Sequence, residues 1–138
     1  MKKIKWIIIG LGLILVIVVA LYFRALGQGI PNPTKAKADM MMLRTALQVY
    51  RMEYGAFPSG DTAAVMSALS GKNPKKIIIL SLSPKDLNDR GEFIDPWGTP
   101  YQITISHEKG LVIRSAGENK QFDDGPGSDD IILPGPNF

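Results

Sequence analysis

Between Glu118 and Asp130 the chain gathers five of its thirteen acidic residues, Glu118, Asp123, Asp124, Asp129 and Asp130, with only Lys120 to offset them. Asn119 and Ser128 add neutral side-chain oxygens, and Gly117, Gly125 and Gly127 permit turns that aim a backbone carbonyl such as that of Ala116 inward. Such donors suit a hard cation: calcium takes about six to eight oxygens from carboxylates, amides, hydroxyls, carbonyls and water. The candidate ligand set is Ala116 through its carbonyl, Asn119, Ser128, Asp129 and Asp130. It is not an EF-hand, because no Glu closes the loop about twelve residues on and no helix is expected on either flank. A solvated acidic loop is the other reading of the same residues, and spacing alone leaves both open.

Catalysis has little to draw on. The chain has one histidine, His107, in a predicted turn tip, and no cysteine. Ser115 lacks the G-x-S-x-G elbow that would expose it as a nucleophile. The adjacent acids Asp123 and Asp124 have no predicted cleft in which to act on a sugar. We therefore expect no enzyme. The run Asp95-Pro-Trp-Gly-Thr-Pro-Tyr101 has a structural logic: two prolines fix backbone angles, Gly98 permits a turn, and Trp97 and Tyr101 anchor the core at the entry to a hairpin. An exposed Trp97 stacking on a glycan is the alternative.

The elements that must position this loop begin with an apolar segment. Trp6 to Phe23 is eighteen residues without a charge, which at about 1.5 Å per residue approaches the thickness of a bilayer core. Lys2, Lys3 and Lys5 precede it and Arg24 follows, so the positive-inside rule places the N-terminus in the cytoplasm and the rest of the chain outside. Residues 1–26 are thus expected to form a retained anchor. Ala25-Leu26-Gly27 also offers small residues for signal cleavage, the rival reading of the same segment. The four flanking cations account for the formal charge of +3, leaving twelve basic against thirteen acidic residues elsewhere. A near-neutral remainder argues against nucleic acid as a partner.

Gly27, Gly29, Pro31 and Pro33 make 27–33 a linker, and residues 34–138 form one domain of about 105 residues with room for one core. Thr34 is the expected cap of a helix whose apolar stripe runs Met40, Leu43, Leu47, Tyr50 and Tyr54, with Gly55 as its stop. Asp61 caps a second, shorter helix through Ser70, ended by Gly71. Ile77 to Leu82 reads as a strand or a buried connection. Tyr101, Ile103 and Ile105 alternate with Gln102, Thr104 and Ser106, and after the turn His107–Gly110 the stretch Leu111–Arg114 forms the partner strand.

Three segments together carry a family resemblance: Thr45-Ala-Leu-Gln-Val-Tyr-Arg-Met-Glu-Tyr-Gly-Ala-Phe-Pro58, Asp95-Pro-Trp-Gly-Thr-Pro-Tyr101, and Ser115-Ala-Gly117 followed by Ser128-Asp-Asp-Ile131. In these the chain resembles the type II secretion major pseudopilins and their type IV pilin-like relatives. The resemblance implies an α+β fold: an N-terminal transmembrane helix, then a helix packed on a small antiparallel β-sheet with a C-terminal calcium-binding loop. The family's closing acids match Asp129 and Asp130, whereas Asn119 stands where an acid is usual. Gly10 and Gly12 are each followed by Leu, and no acid lies between Trp6 and Phe23, so no prepilin peptidase site is recognisable. The resemblance thus implies a structural subunit or accessory protein anchored in the bacterial inner membrane with its domain in the periplasm. Its partners would be other pseudopilins, secretion-machinery proteins or further copies of itself. The alternative is a stand-alone tethered module that binds a peptide or glycan.

Overall fold

A computed structural model describes residues 17–18, 32–106 and 110–134. The anchor, most of the linker and the turn bearing His107 lie outside the described residues, apart from Ile17 and Val18, which are helical and exposed. Among the described residues no helix is long and apolar enough to cross a membrane. A compact unit begins at Asn32.

Helix α1 spans Asn32–Tyr54 and starts two residues before the expected cap. Pro33 explains the difference. Read as a linker breaker, it sits instead in the first helical turn, where a missing N–H costs no intrahelical bond and its fixed φ already suits the helix. Thr34 is therefore inside the helix. The apolar stripe behaves as its period requires: Met40, Leu43 and Leu47 are buried, joined by Ala36 and Ala46, and Tyr50 and Tyr54 are half-buried with ring centroids 4.4 Å apart. Only Met40 of the three consecutive methionines enters the core, while Met41 and Met42 are exposed. Gly55, at φ 77°, ends the helix as expected and donates its N–H to the Arg51 carbonyl.

Helix α2, Thr62–Leu69, is capped by Asp61, whose carboxylate accepts the Ala64 N–H at 2.8 Å. It buries Val65, Met66 and Leu69. The apolar run that follows is not a strand. Ile77 and Ile78 are exposed, and the segment is an extended connection in which the Ile79 and Leu80 amides both donate to the Leu69 carbonyl. Asn73 organises it: its amide group donates to the Ala68 and Ile77 carbonyls, and its oxygen accepts the Ile77 N–H and the Tyr54 hydroxyl. Those backbone groups are thereby unavailable to a sheet ladder. A short 3-10 helix, Pro84–Asp86, precedes two isolated bridges, Leu87 with Phe93 and Ile94 with Pro100.

The sheet has three antiparallel strands in the order β1 (Gln102–Ser106), β2 (Gly110–Ser115), β3 (Ile131–Pro134). The hairpin pairs Ile103 with Ile113 and Ile105 with Leu111, as alternation predicts. The third strand, Ile131–Pro134, was not foreseen. Its apolar core of three residues lies between Asp130 and the proline-rich tail, too short for a period-2 signal, and pairing with β2 defines it. Helix α1 packs across β2 and β3. Leu111 and Ile113 face it, together with Phe93, Tyr101 and Leu80, in one core. Strand alternation puts Val112 and Arg114 on the opposite face, beneath the loop that joins β2 to β3.

Candidate functional site

The loop from Ala116 to Asp130 leaves the sheet at Ser115 and returns at Ile131, and those two residues are paired across β2 and β3. Its start is held from below. Asp95, almost fully buried, accepts the Trp97 and Thr99 N–H groups on one carboxylate oxygen at 3.0 and 2.9 Å, and the Ser115 hydroxyl on the other at 2.7 Å. Ser115 Oγ in turn accepts the Gly117 N–H. One carboxylate therefore shapes the turn before β1 and fastens the first residue of the loop, as an ionised acceptor with three donors can.

The chain bends at Gly117, φ 68°, where it meets the far end of the loop: a Cβ placed there would come within 2.5 Å of the Asp129 carbonyl oxygen and 2.7 Å of its carboxylate. Only glycine admits both this conformation and this approach. Asp129 Oδ2 accepts the Asn119 N–H at 2.9 Å, and Ser128 Oγ accepts the Asp130 N–H at 3.2 Å. Of the five predicted ligand residues, Asn119 and Asp129 meet through the Asn119 N–H, Ser128 bonds its near neighbour Asp130, and buried Ala116 precedes the glycine that approaches Asp129. The Asn119 side chain is engaged within the loop, its oxygen accepting the Gln121 N–H and its amide donating to Asp123 Oδ2.

Asp130 is the buried member, with its side chain 2% exposed. Arg114 Nε donates to Asp130 Oδ2, and the same guanidinium pairs with Asp124 Oδ1 at 2.9 Å and donates to the Asp123 carbonyl. The Phe122 ring lies 5.5 Å from the guanidinium carbon. Burial works to lower the Arg114 pKa, but hydrogen bonding and charge from Asp130, with Asp124 behind them, outweigh it and raise it above the ordinary arginine value. Sequence reasoning missed Arg114, because no local spacing links a strand cation to acids ten and sixteen residues away. It also missed Asp95 as a buried hub, although Asp-Pro-x-Gly-Thr is a recognisable side-chain-to-backbone turn signal.

Asp130 Oδ1 is the one buried side-chain oxygen or nitrogen without a hydrogen-bond partner among the described residues. A buried carboxylate oxygen without a partner is of the chemical type a calcium ion takes, since its ligands are all oxygens. No three His, Cys, Asp or Glu side chains are placed to hold a metal among the described residues, so any ion relies on amide, hydroxyl and backbone oxygens as well. Trp97, expected to anchor the core, is half-buried and outside it; Phe93 and Tyr101 fill that place, ring centroids 5.0 Å apart. The Tyr101 hydroxyl reaches α1, 3.3 Å from an Asp39 carboxylate oxygen and 3.5 Å from the Ala36 carbonyl. Burial, and then the charges of Asp39 and Asp95, push the Tyr101 pKa far above its ordinary value.

A curated relative, type II secretion system core protein G of Pseudomonas aeruginosa, is 34% identical over 84 residues, covering 56% of this chain and 52% of the relative. The chain thus aligns with about half the length of that protein. The crystal structure of the major pseudopilin of the type 2 secretion system of enterohaemorrhagic Escherichia coli superimposes with a TM-score of 0.43 at 21% identity, covering 77% of this chain and 96% of that one. Residues 27–133 match the family described as type II secretion system (T2SS), protein G, which takes in α1, α2, most of the sheet and the whole acidic loop. The chain therefore belongs to the protein G family of the type II secretion system, whose members are structural components of secretion and not enzymes.

Proposed function

We propose that this protein is a membrane-anchored structural subunit of a type II secretion or pilus-like assembly, acting through protein contacts in the periplasm. The family match over residues 27–133 is the observation that carries this reading. The apolar segment Trp6–Phe23 supplies the anchor, and the domain from Asn32 onward is the part presented to other subunits. Exposed Met52 and Val49 on α1 and Ile78 in the following connection are apolar positions for such contacts. Because the chain has no cysteine, single Met52→Cys and Ile78→Cys variants carrying a thiol-attached photocrosslinker in membranes of the native host report neighbours directly as covalent adducts. Adducts with secretion-machinery proteins or with the same chain are the expected result. A chain that gives none at either position, and whose deletion leaves export unchanged, is not a secretion subunit.

The C-terminal loop, in this reading, holds one calcium ion through Asp129, Asp130, Ser128, Asn119 and the Ala116 carbonyl. The unpartnered buried oxygen of Asp130 supports it. A bound calcium ties the two limbs of the loop together and neutralises part of its charge. Binding to the native state alone raises stability by about 2.7 kcal/mol at a hundred times the dissociation constant. Melting with excess calcium and with chelator tests this, and identical curves exclude it.

A further inference from the structure

Arg114 sits at the base of the loop, on the sheet face away from α1, with a side chain only 15% exposed. Its guanidinium engages both limbs. Nε and NH2 reach Asp130 on the returning limb and Asp124 with the Asp123 carbonyl on the outgoing one, and Phe122 lies close to the same group. A planar fork that satisfies two carboxylates and a carbonyl at once holds geometry as well as charge. We propose that Arg114 is a built-in cation of this loop: it keeps the loop closed when calcium is absent, and weakens calcium binding by pre-occupying Asp130. The proposal deepens the calcium reading above and its second half rests on that reading.

Three observations converge on it. First, Asp130 is a shared carboxylate, one oxygen bound to Arg114 and the other buried without a partner. A calcium ion on the free oxygen meets electron density already drawn toward the guanidinium, and a second positive charge close by. Second, the loop carries five acids against Lys120 alone, so without Arg114 the folded loop must concentrate that charge unaided. Third, Asn119 spends its side chain inside the loop, on Gln121 and Asp123. Closure therefore relies on protein groups at two places where a metal-dependent loop would use the ion.

The test uses the full chain in detergent micelles. Loop opening is read as the rate of tryptic cleavage after Lys120, located by mass spectrometry, and calcium affinity by titration calorimetry. In chelator the wild type resists cleavage, whereas Arg114→Gln is cut faster by about tenfold or more, the loss expected for charge-assisted bonds. About 1 mM calcium restores protection to Arg114→Gln, and that variant binds calcium more tightly than the wild type. Asp124→Asn, altered at an exposed residue outside the proposed ligand set, opens the loop in chelator without disturbing the sheet, and Arg114→Lys falls between wild type and Gln. Arg114→Gln as resistant as wild type in chelator overturns the closing role. Equal or weaker calcium binding by Arg114→Gln overturns the competition. If Arg114→Gln opens and calcium neither binds nor protects either protein, the calcium reading falls while Arg114 as the loop's cation stands.

Discussion

Removing the Asp95 carboxylate is the sharpest test of how the turn before β1 and the loop are joined. In Asp95→Ala the Ser115 hydroxyl, fully buried, loses its acceptor, and the half-buried Trp97 and Thr99 amides lose theirs. An unsatisfied buried group costs about 1–3 kcal/mol, so one fully and two partly buried groups together cost roughly 3–6 kcal/mol. For a domain of this size about 4 °C of melting temperature corresponds to each kcal/mol, which sets the expected fall at roughly 12 °C or more. Asp95→Asn keeps an oxygen for both amides and forfeits only the bond from Ser115, for about 1 kcal/mol. Ser115→Ala leaves the second Asp95 oxygen unpaired, and the double variant Asp95→Ala/Ser115→Ala costs less than the sum of the two, by about 1–2 kcal/mol of shared interaction. Far-UV circular dichroism melts of the full chain give all four values. An Asp95→Ala protein melting within about 4 °C of wild type, or Asn as damaging as Ala, refutes the hub.

Other perturbations probe separate parts. The Tyr101 hydroxyl keeps its proton in the native state at pH values where an unfolded tyrosine, with an ordinary value of 10.0, has lost it. Native stability from this group is thus intact below about pH 10 and falls as pH rises past it, by about 1.4 kcal/mol per unit; Tyr101→Phe removes that slope, seen as a flatter alkaline unfolding curve. Gly117→Ala collides with Asp129 as well as occupying a left-handed conformation, whereas Gly98→Ala, at φ 94° with nothing within 4 Å, meets only the second problem. The backbone penalty alone is about 1–2 kcal/mol, so Gly117→Ala melts clearly below Gly98→Ala, and equal melting points would falsify the close approach. Asn73→Ala deletes the four hydrogen bonds that shape the connection after α2 and costs about 2–4 kcal/mol in urea denaturation, against less than about 0.5 for exposed Lys72→Ala.

Legibility in the sequence followed the range of the interaction. The stripe on α1, the Asp61 cap and the β1–β2 register rest on contacts between near neighbours, and periodicity or a single cap residue announces each. Proline was misread at Pro33 because the same ring ends a helix from inside and starts one from its first turn. Ile77–Leu82 looked buried by composition, but Asn73 captures its backbone and turns Ile77 and Ile78 outward. In the loop, the oxygen-rich residues were readable, whereas the cation that holds Asp124 and Asp130 was not. Arg114 is ordinary in its strand; its pairing with Asp124 and Asp130 exists only once β3 has returned alongside β2.

The fastening of Ser115 to Asp95 also gives the loop a direction of failure. Its outgoing end is tied to a buried carboxylate and flanked by buried Ala116 and Gly117, while its returning end runs into a four-residue strand at the sheet margin, half of it exposed. Local opening therefore begins in this edge strand, although Arg44 reaches the Pro134 carbonyl, and the β3 amides that bond β2 should exchange with solvent before that of Gly117. A domain built this way can loosen the margin of its sheet while the root of the loop stays in place.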